Sequence, residues 1–452
     1  MLTPKEFLAQ ECKNVDKLLR DALRFDYGAR GSETFFEQCN AQLNFIQKNL
    51  GYIGDTDAVN LAEFASHISQ LSELIAKIER SHIGEFSWAF GDAFRRHAEL
   101  ICSDSDPVAN DVQTDPVGAV EATTAHTRPP LFFIIADGGL SAYSMRPEQS
   151  LLGVSNRRIY TIAVPRSFRH HVLLHSILGH EIGHAAQNVP GRKKFIEGEI
   201  IPLLLAQSTL LTRESIRNSG LPLPEAQLSD GRLRAVTHAW LTEIACDLIG
   251  LNFMGPSFFG AARSLLSAID SEGSAYGEKH PPNIWRYEAL GRAYKTAGWD
   301  VLPTGASTHL KTAHERMTSQ LYQYNPDTAS AKRVFNDGVI EEATRRIASY
   351  LDSYSIQLRY TPPETRDLDE LVSAICRARP PLGQHTETGA WEFASIDYRH
   401  ILHAGWLAMG ADLDPKVGFE EDTKFYFINR LCEQAILQRE ALAAIGKNNA
   451  GA

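Results

Sequence analysis

Five residues, His180-Glu181-Ile182-Gly183-His184, constrain this chain more than any other stretch. On an α-helix, residues four apart lie one above the other, so both imidazoles face one point in space while Glu181, about 100° around, looks to its side. Two imidazoles at this spacing form a donor pair for a divalent cation, and the neighbouring carboxylate can take a proton from water. Zinc is the expected cation, because it takes nitrogen ligands at about 2.0–2.1 Å in a tetrahedral set that keeps one position open for catalysis. Leu174, Leu178, Ile182 and Ala185 recur at helical spacing opposite the histidines, which predicts a helix buried along one face and functional along the other. Gly183 would leave room beside the ion.

A catalytic zinc site needs a third protein ligand. Glu243-Ile244-Ala245-Cys246-Asp247 offers one on a segment with a helical pattern, in which Trp240, Leu241, Ile244, Leu248 and Ile249 supply apolar faces. Glu243 and Asp247 stack at i and i+4. Glu243 is then expected as the third ligand, with Asp247 accepting the outer N–H of a zinc-bound imidazole. Two carboxylates on a helix face also occur simply as a solvated edge, so this assignment rests on the first motif.

His180-Glu181-x-x-His184 followed by Glu243-x-x-x-Asp247 resembles the gluzincin metallopeptidases, in which a second helix supplies the Glu ligand. Lys279-His280-Pro281-Pro282-Asn283-Ile284-Trp285-Arg286 is similar to the His-Pro-Pro…Arg segment of the CAAX-processing and heat-shock zinc proteases. The resemblance spans roughly residues 128–295. It implies peptide hydrolysis, with His280 as the donor to the oxyanion and Arg286 as its support; Tyr276 and His238 are weaker candidates for the donor. One departure is plain: those relatives carry transmembrane helices. Here the longest candidate, from Ile200 to Leu211, is interrupted by Pro202, Gln207, Ser208 and Thr209, well short of the roughly 20 apolar residues a span requires.

Composition bounds the remaining classes. The net charge of −10 lacks the basic footprint that nucleic acid or an anionic membrane requires. The six cysteines are scattered without a Cys-x-x-Cys pair, which argues against a disulfide framework and a thiolate zinc site. The start of the chain has no basic segment followed by an apolar core, so no signal peptide and a cytoplasmic setting are expected.

The expected fold is α+β and predominantly α-helical, a zincin-like metallopeptidase core with a small sheet, flanked by N- and C-terminal helical regions. Its divisions are a helical region over 1–102, a linker or loop over 103–128, the core over 129–295 and a helical region over 296–452. Leu61, Phe64, Ile68, Leu71, Ile75 and Ile78 mark a seam that either closes an intramolecular bundle or binds a partner. Strands are predicted at residues 131–135 and 158–164, the second with either a free edge along the cleft or a wholly internal place. A helix is predicted from Lys193 to Ser219, a loop over 220–224, and another helix from Ser257 to Ile269. His385, His400 and His403 are expected to be ordinary histidines.

On this reading His180, His184 and Glu243 hold Zn2+, Glu181 is the general base, and a peptide or protein is the substrate. A non-catalytic scaffold stabilised by its metal, closed by a fourth protein ligand, is the competing class. Hydrolysis of a non-peptide amide would use the same residues. The helical arms either complete the core or restrict access to the metal, in which case a regulatory protein partner would open it.

Overall fold

Apolar spacing accounts for the first helices. The computed structural model describes residues 3–25, 32–79, 86–103, 131–137, 143–148, 159–206, 230–269, 279–302, 304–322, 335, 338–354, 357–382, 396–414 and 423–450. The expected linker beyond residue 103, the 220–224 loop, Tyr276 and His385 lie outside the described residues. The described residues fall into two compact units, one up to Arg169 and the other from His170 onward.

In the first unit, α1 (Pro4–Ala22) starts at Thr3, whose hydroxyl accepts from the Glu6 N–H while the Glu6 carboxylate accepts from the Thr3 N–H. This reciprocal cap satisfies two N–H groups that the first turn leaves unpaired. Leu8, Cys12, Val15, Leu19 and Ala22 alternate in steps of four and three, and Phe36, Cys39, Leu43, Ile46 and Leu50 do the same along α2 (Ser32–Tyr52). On α3 (Ala58–Glu79), Leu61, Ile68, Leu71 and Ile75 are buried, with Phe64 packed at the margin. The three seams share one core, so the stripe on α3 closes an intramolecular bundle. A fourth helix, α4 (Trp88–Ile101), buries Phe90 and Phe94 completely.

The sheet of this unit has the order β1-β3-β2, with β1 at Leu131–Ala136, β2 at Ser144–Glu148 and β3 at Ile159–Val164. Strand β3 runs parallel to β1, Leu131 opposite Ile159, and antiparallel to β2, Ser144 opposite Ala163. Its ladder is therefore occupied on both sides, and the reading that gave residues 158–164 a free edge fails. The short, polar β2 carries no strand pattern in sequence; among the described residues it lies at the edge of the sheet, where its Pro147 is tolerated.

The second unit begins with a 3-10 turn, Leu174–Ile177, that runs into α5 (Leu178–Ala186). Then follow α6 (Pro190–Phe195), a π turn (Ile196–Ile200), α7 (Ile201–Ala206) and α8 (Asp230–Met254). The helix expected from Lys193 to Ser219 thus takes a π turn before α7, and its residues 207–219 lie outside the described residues. Helix α8 stops where Gly255 adopts φ +69°, with Pro256 opening α9 (Pro256–Ile269). Only glycine suits Gly255: positive φ penalises a side chain, and a Cβ there would lie 2.4 Å from the Tyr360 ring.

Among the described residues, six more helices follow: α10 (Asn283–Thr296), α11 (Thr308–Tyr322), α12 (Val339–Asp352), α13 (Thr365–Cys376), α14 (Tyr398–Gly410) and α15 (Lys424–Ala450). The helices after residue 296 do not stand apart from those before it. Asn429 of α15 donates to the His170 carbonyl at 2.6 Å and accepts from the Leu173 N–H at 3.1 Å, and the Trp406 indole of α14 donates to the Leu173 carbonyl at 3.3 Å. These bonds fix the turn that leads into α5. The protein is mainly helical with a small sheet. Among the described residues no helix is long and apolar enough to cross a membrane, and all six cysteines are free and buried.

Candidate metal centre

Small residues set the distance between the two helices that carry the site. A Cβ at Gly183 would lie 2.8 Å from the Cys246 Cα, and one at Gly179 would lie 3.0 Å from the Gly250 Cα. Contacts 179–250 and 183–246 run in opposite senses, so α5 and α8 are antiparallel and close. Gly183 therefore makes room for Cys246 and α8, whereas the sequence suggested room beside the ion. The same register brings His180 level with Asp247 and His184 level with Glu243.

The Nε2 atoms of His180 and His184 lie 3.0 Å apart. Glu243 spans the pair with its two oxygens, Oε2 at 3.3 Å from His180 Nε2 and Oε1 at 3.2 Å from His184 Nε2. Tetrahedral zinc with bonds near 2.0–2.1 Å holds its ligand atoms about 3.3 Å from one another, and these nitrogen and oxygen separations lie close to that value. One ligand atom from each of the three residues falls within a 4.8 Å group, and among the described residues no fourth His, Cys, Asp or Glu joins them. Two imidazoles and one carboxylate are a nitrogen and oxygen set suited to zinc and neighbouring transition metals.

Behind this group lies a buried relay. Asp247, fully buried, accepts from His180 Nδ1 at 2.8 Å and from Arg286 Nε and Nη2 at 2.7 Å each. Helix α10 delivers Arg286, anchored on α8 by the edge-to-face pair Trp240 and Trp285, whose centroids are 5.5 Å apart. Pro281 and Pro282 end α10 on its N-terminal side, because proline supplies no N–H for a further turn. That leaves His280 outside the helix, its Nδ1 3.1 Å from Glu243 Oε2 and its side chain 65% exposed.

Electrostatics follow from this packing. Burial would lower the His180 pKa, but the carboxylates of Asp247 and Glu243 outweigh it and raise it to about 10. Burial likewise opposes ionisation of Glu243 and Asp247, and it is overcome by His180 at Glu243 and by Arg286 and then His180 at Asp247; both carboxyls lie below their ordinary range. Two buried carboxylates stay ionised against the imidazoles, an arrangement that favours a cation. The Cys246 thiol is pushed well above its ordinary value by burial and then by Glu243, Asp247 and Glu181, so it is a neutral thiol.

The structure thus brings His180, His184, Glu243, Asp247, Arg286 and His280 together. Glu181 is half-buried on α5, and His238 is exposed on α8. His400 and His403 are buried but stand outside the group: His400 Nε2 meets the Thr361 carbonyl at 2.8 Å, and His403 Nδ1 meets the Tyr360 hydroxyl at 2.7 Å. Sequence reasoning missed Cys246, whose Sγ lies 3.6 Å from His184 Nδ1. Its place one residue before Asp247, on the same helix as Glu243, was the available signal. Comparison with family models, curated proteins and solved structures finds no match for this chain.

Proposed function

We propose that this chain is a zinc-dependent metallopeptidase with a zincin-like core of gluzincin type. The observation that carries the reading is the group of His180, His184 and Glu243 on two antiparallel helices, backed by the buried Asp247 and Arg286 pair. His180 Nε2, His184 Nε2 and the Glu243 carboxylate would hold the ion. When bound, zinc would supply Lewis acidity, lowering the pKa of water and polarising the scissile carbonyl.

The chain's own residues supply the rest. Asp247 holds the proton on His180 Nδ1, which keeps Nε2 free to ligate and fixes the ring plane, and Arg286 holds Asp247. Glu181 takes a proton from the attacking water and delivers it to the amide nitrogen as the C–N bond breaks, so that water is divided between the new acid and amine. His280 is anchored to Glu243 through Nδ1. With Nδ1–H given to Glu243, a ring that carries both protons would present Nε2–H to the carbonyl oxygen as negative charge grows there, with Arg286 supporting the carboxylates behind it. Three protein donors in the group, among the described residues, favour a catalytic site over the closed four-ligand site of a structural metal.

Elemental analysis combined with a peptide-cleavage assay tests this reading. Purified protein should contain zinc; Glu181→Gln should keep it and lose turnover, whereas His184→Ala and Glu243→Ala should lose the metal. Full activity in Glu181→Gln, or zinc held undiminished by the other two variants, would overturn the assignment.

A further inference from the structure

The two histidines are supported unequally. His180 Nδ1 meets the Asp247 carboxylate at 2.8 Å, while among the described residues His184 Nδ1 meets the Cys246 sulfur alone, at 3.6 Å. Gln187 Nε2 donates to the same sulfur at 3.4 Å, and the sulfur is held against α5 at Gly183, where a Cβ would lie 2.9 Å from Sγ. His184 Nε2 faces His180 and Glu243, at 3.0 and 3.2 Å. If Nε2 is the ligand atom, the ring proton must sit on Nδ1, and the sulfur is the acceptor in front of it. Sulfur is a weak acceptor and 3.6 Å is a long contact, whereas a carboxylate at 2.8 Å raises ligand basicity.

We propose that Cys246 is a positioning residue of the metal centre. By accepting the His184 Nδ1–H it fixes the tautomer and plane of that ring, and because this contact is longer and softer than the one Asp247 makes to His180, it leaves His184 the weaker and more exchangeable of the two imidazole ligands. The inference rests on the metal-binding part of the reading above and not on peptide cleavage. Exposure has the same asymmetry: the His184 side chain is 31% exposed and that of His180 only 7%, so a bound ion would be open to exchange on the His184 side.

The test uses the full chain loaded with zinc, in the wild type, Cys246→Ala and Cys246→Ser. Two quantities are read: the rate of zinc loss to excess chelator, and the imidazole N–H proton resonance of His184 with its exchange against water. The wild type should show a protected Nδ1–H. Cys246→Ala should lose that protection and release zinc about tenfold faster. Cys246→Ser is close in size, and its hydroxyl accepts better, so it should keep the protected N–H and release zinc no faster than the wild type. A merely packed sulfur predicts otherwise. Zinc loss from both variants within about twofold of the wild type, or a wild-type N–H that exchanges as freely as that of Cys246→Ala, would overturn the proposal. Zinc retention with these signatures but no peptide cleavage would remove the peptidase reading and leave this one standing.

Discussion

Arg286 grips Asp247 through both Nε and Nη2, each at 2.7 Å, with neither residue more than 6% exposed. A buried pair of this kind is costly to break, because removing one partner strands the other charge, at about 3–5 kcal/mol. Arg286→Met should therefore lower the unfolding free energy by roughly that amount and loosen zinc, since Asp247 would then have only His180 as a partner. Urea denaturation and zinc content are the measurements. Stability within about 1 kcal/mol of the wild type would show that the pair does not hold the centre together.

His280 should separate catalysis from binding. Its contact with Glu243 Oε2 is one of several on that carboxylate, and the ring is mostly exposed. Replacing it by Ala should leave zinc in place and lower kcat far more than KM, by an amount near 3 kcal/mol for a lost oxyanion donor. An unchanged kcat would reduce His280 to a residue that steadies Glu243.

A pH effect is expected well away from the metal. Burial, with help from His314 and His400, pushes the His403 pKa down from 6.5 to about 3. Because the folded pKa lies below the unfolded one, the unfolded chain takes up a proton between about pH 6.5 and 3 while the folded chain does not, so stability falls as pH falls through that window. Each unit of difference is worth about 1.4 kcal/mol, or roughly 2 kcal/mol by pH 5. His403→Gln, which can still accept from the Tyr360 hydroxyl, should flatten the loss between pH 6.5 and 5; the His400 pKa is also lowered, so part of the slope will remain. Denaturation curves of the two proteins across this range decide it, and parallel slopes would remove His403 as the cause.

The last helix should be indispensable to the centre. Asn429, with Trp406, clamps the turn that leads into α5, so deleting residues 424–450 should cost zinc and activity together. Zinc content and peptide cleavage of the truncated protein are the measurements, and undiminished zinc would show that the clamp is not needed.

The sequence by itself determined what depends on neighbours along the chain. Spacing of four placed His180 over His184 and Glu243 over Asp247, and alternating steps of three and four marked the seam from Leu61 to Ile75, because a helix repeats every 3.6 residues whatever surrounds it. That Asp247 would meet a ligating imidazole was an expectation of the sequence; that the imidazole is His180 was not legible there. Only the tertiary structure decided what lies across from what. The middle place of β3 depended on β2, whose Ser-Met-Arg-Pro-Glu sequence gives no strand signal and whose pairing is a long-range choice. Arg286 reaches Asp247 because Trp285 packs on Trp240, and His184 meets a thiol because Gly183 lets Cys246 come within contact distance. Those contacts join residues some 40 to 60 positions apart, and no local period encodes them.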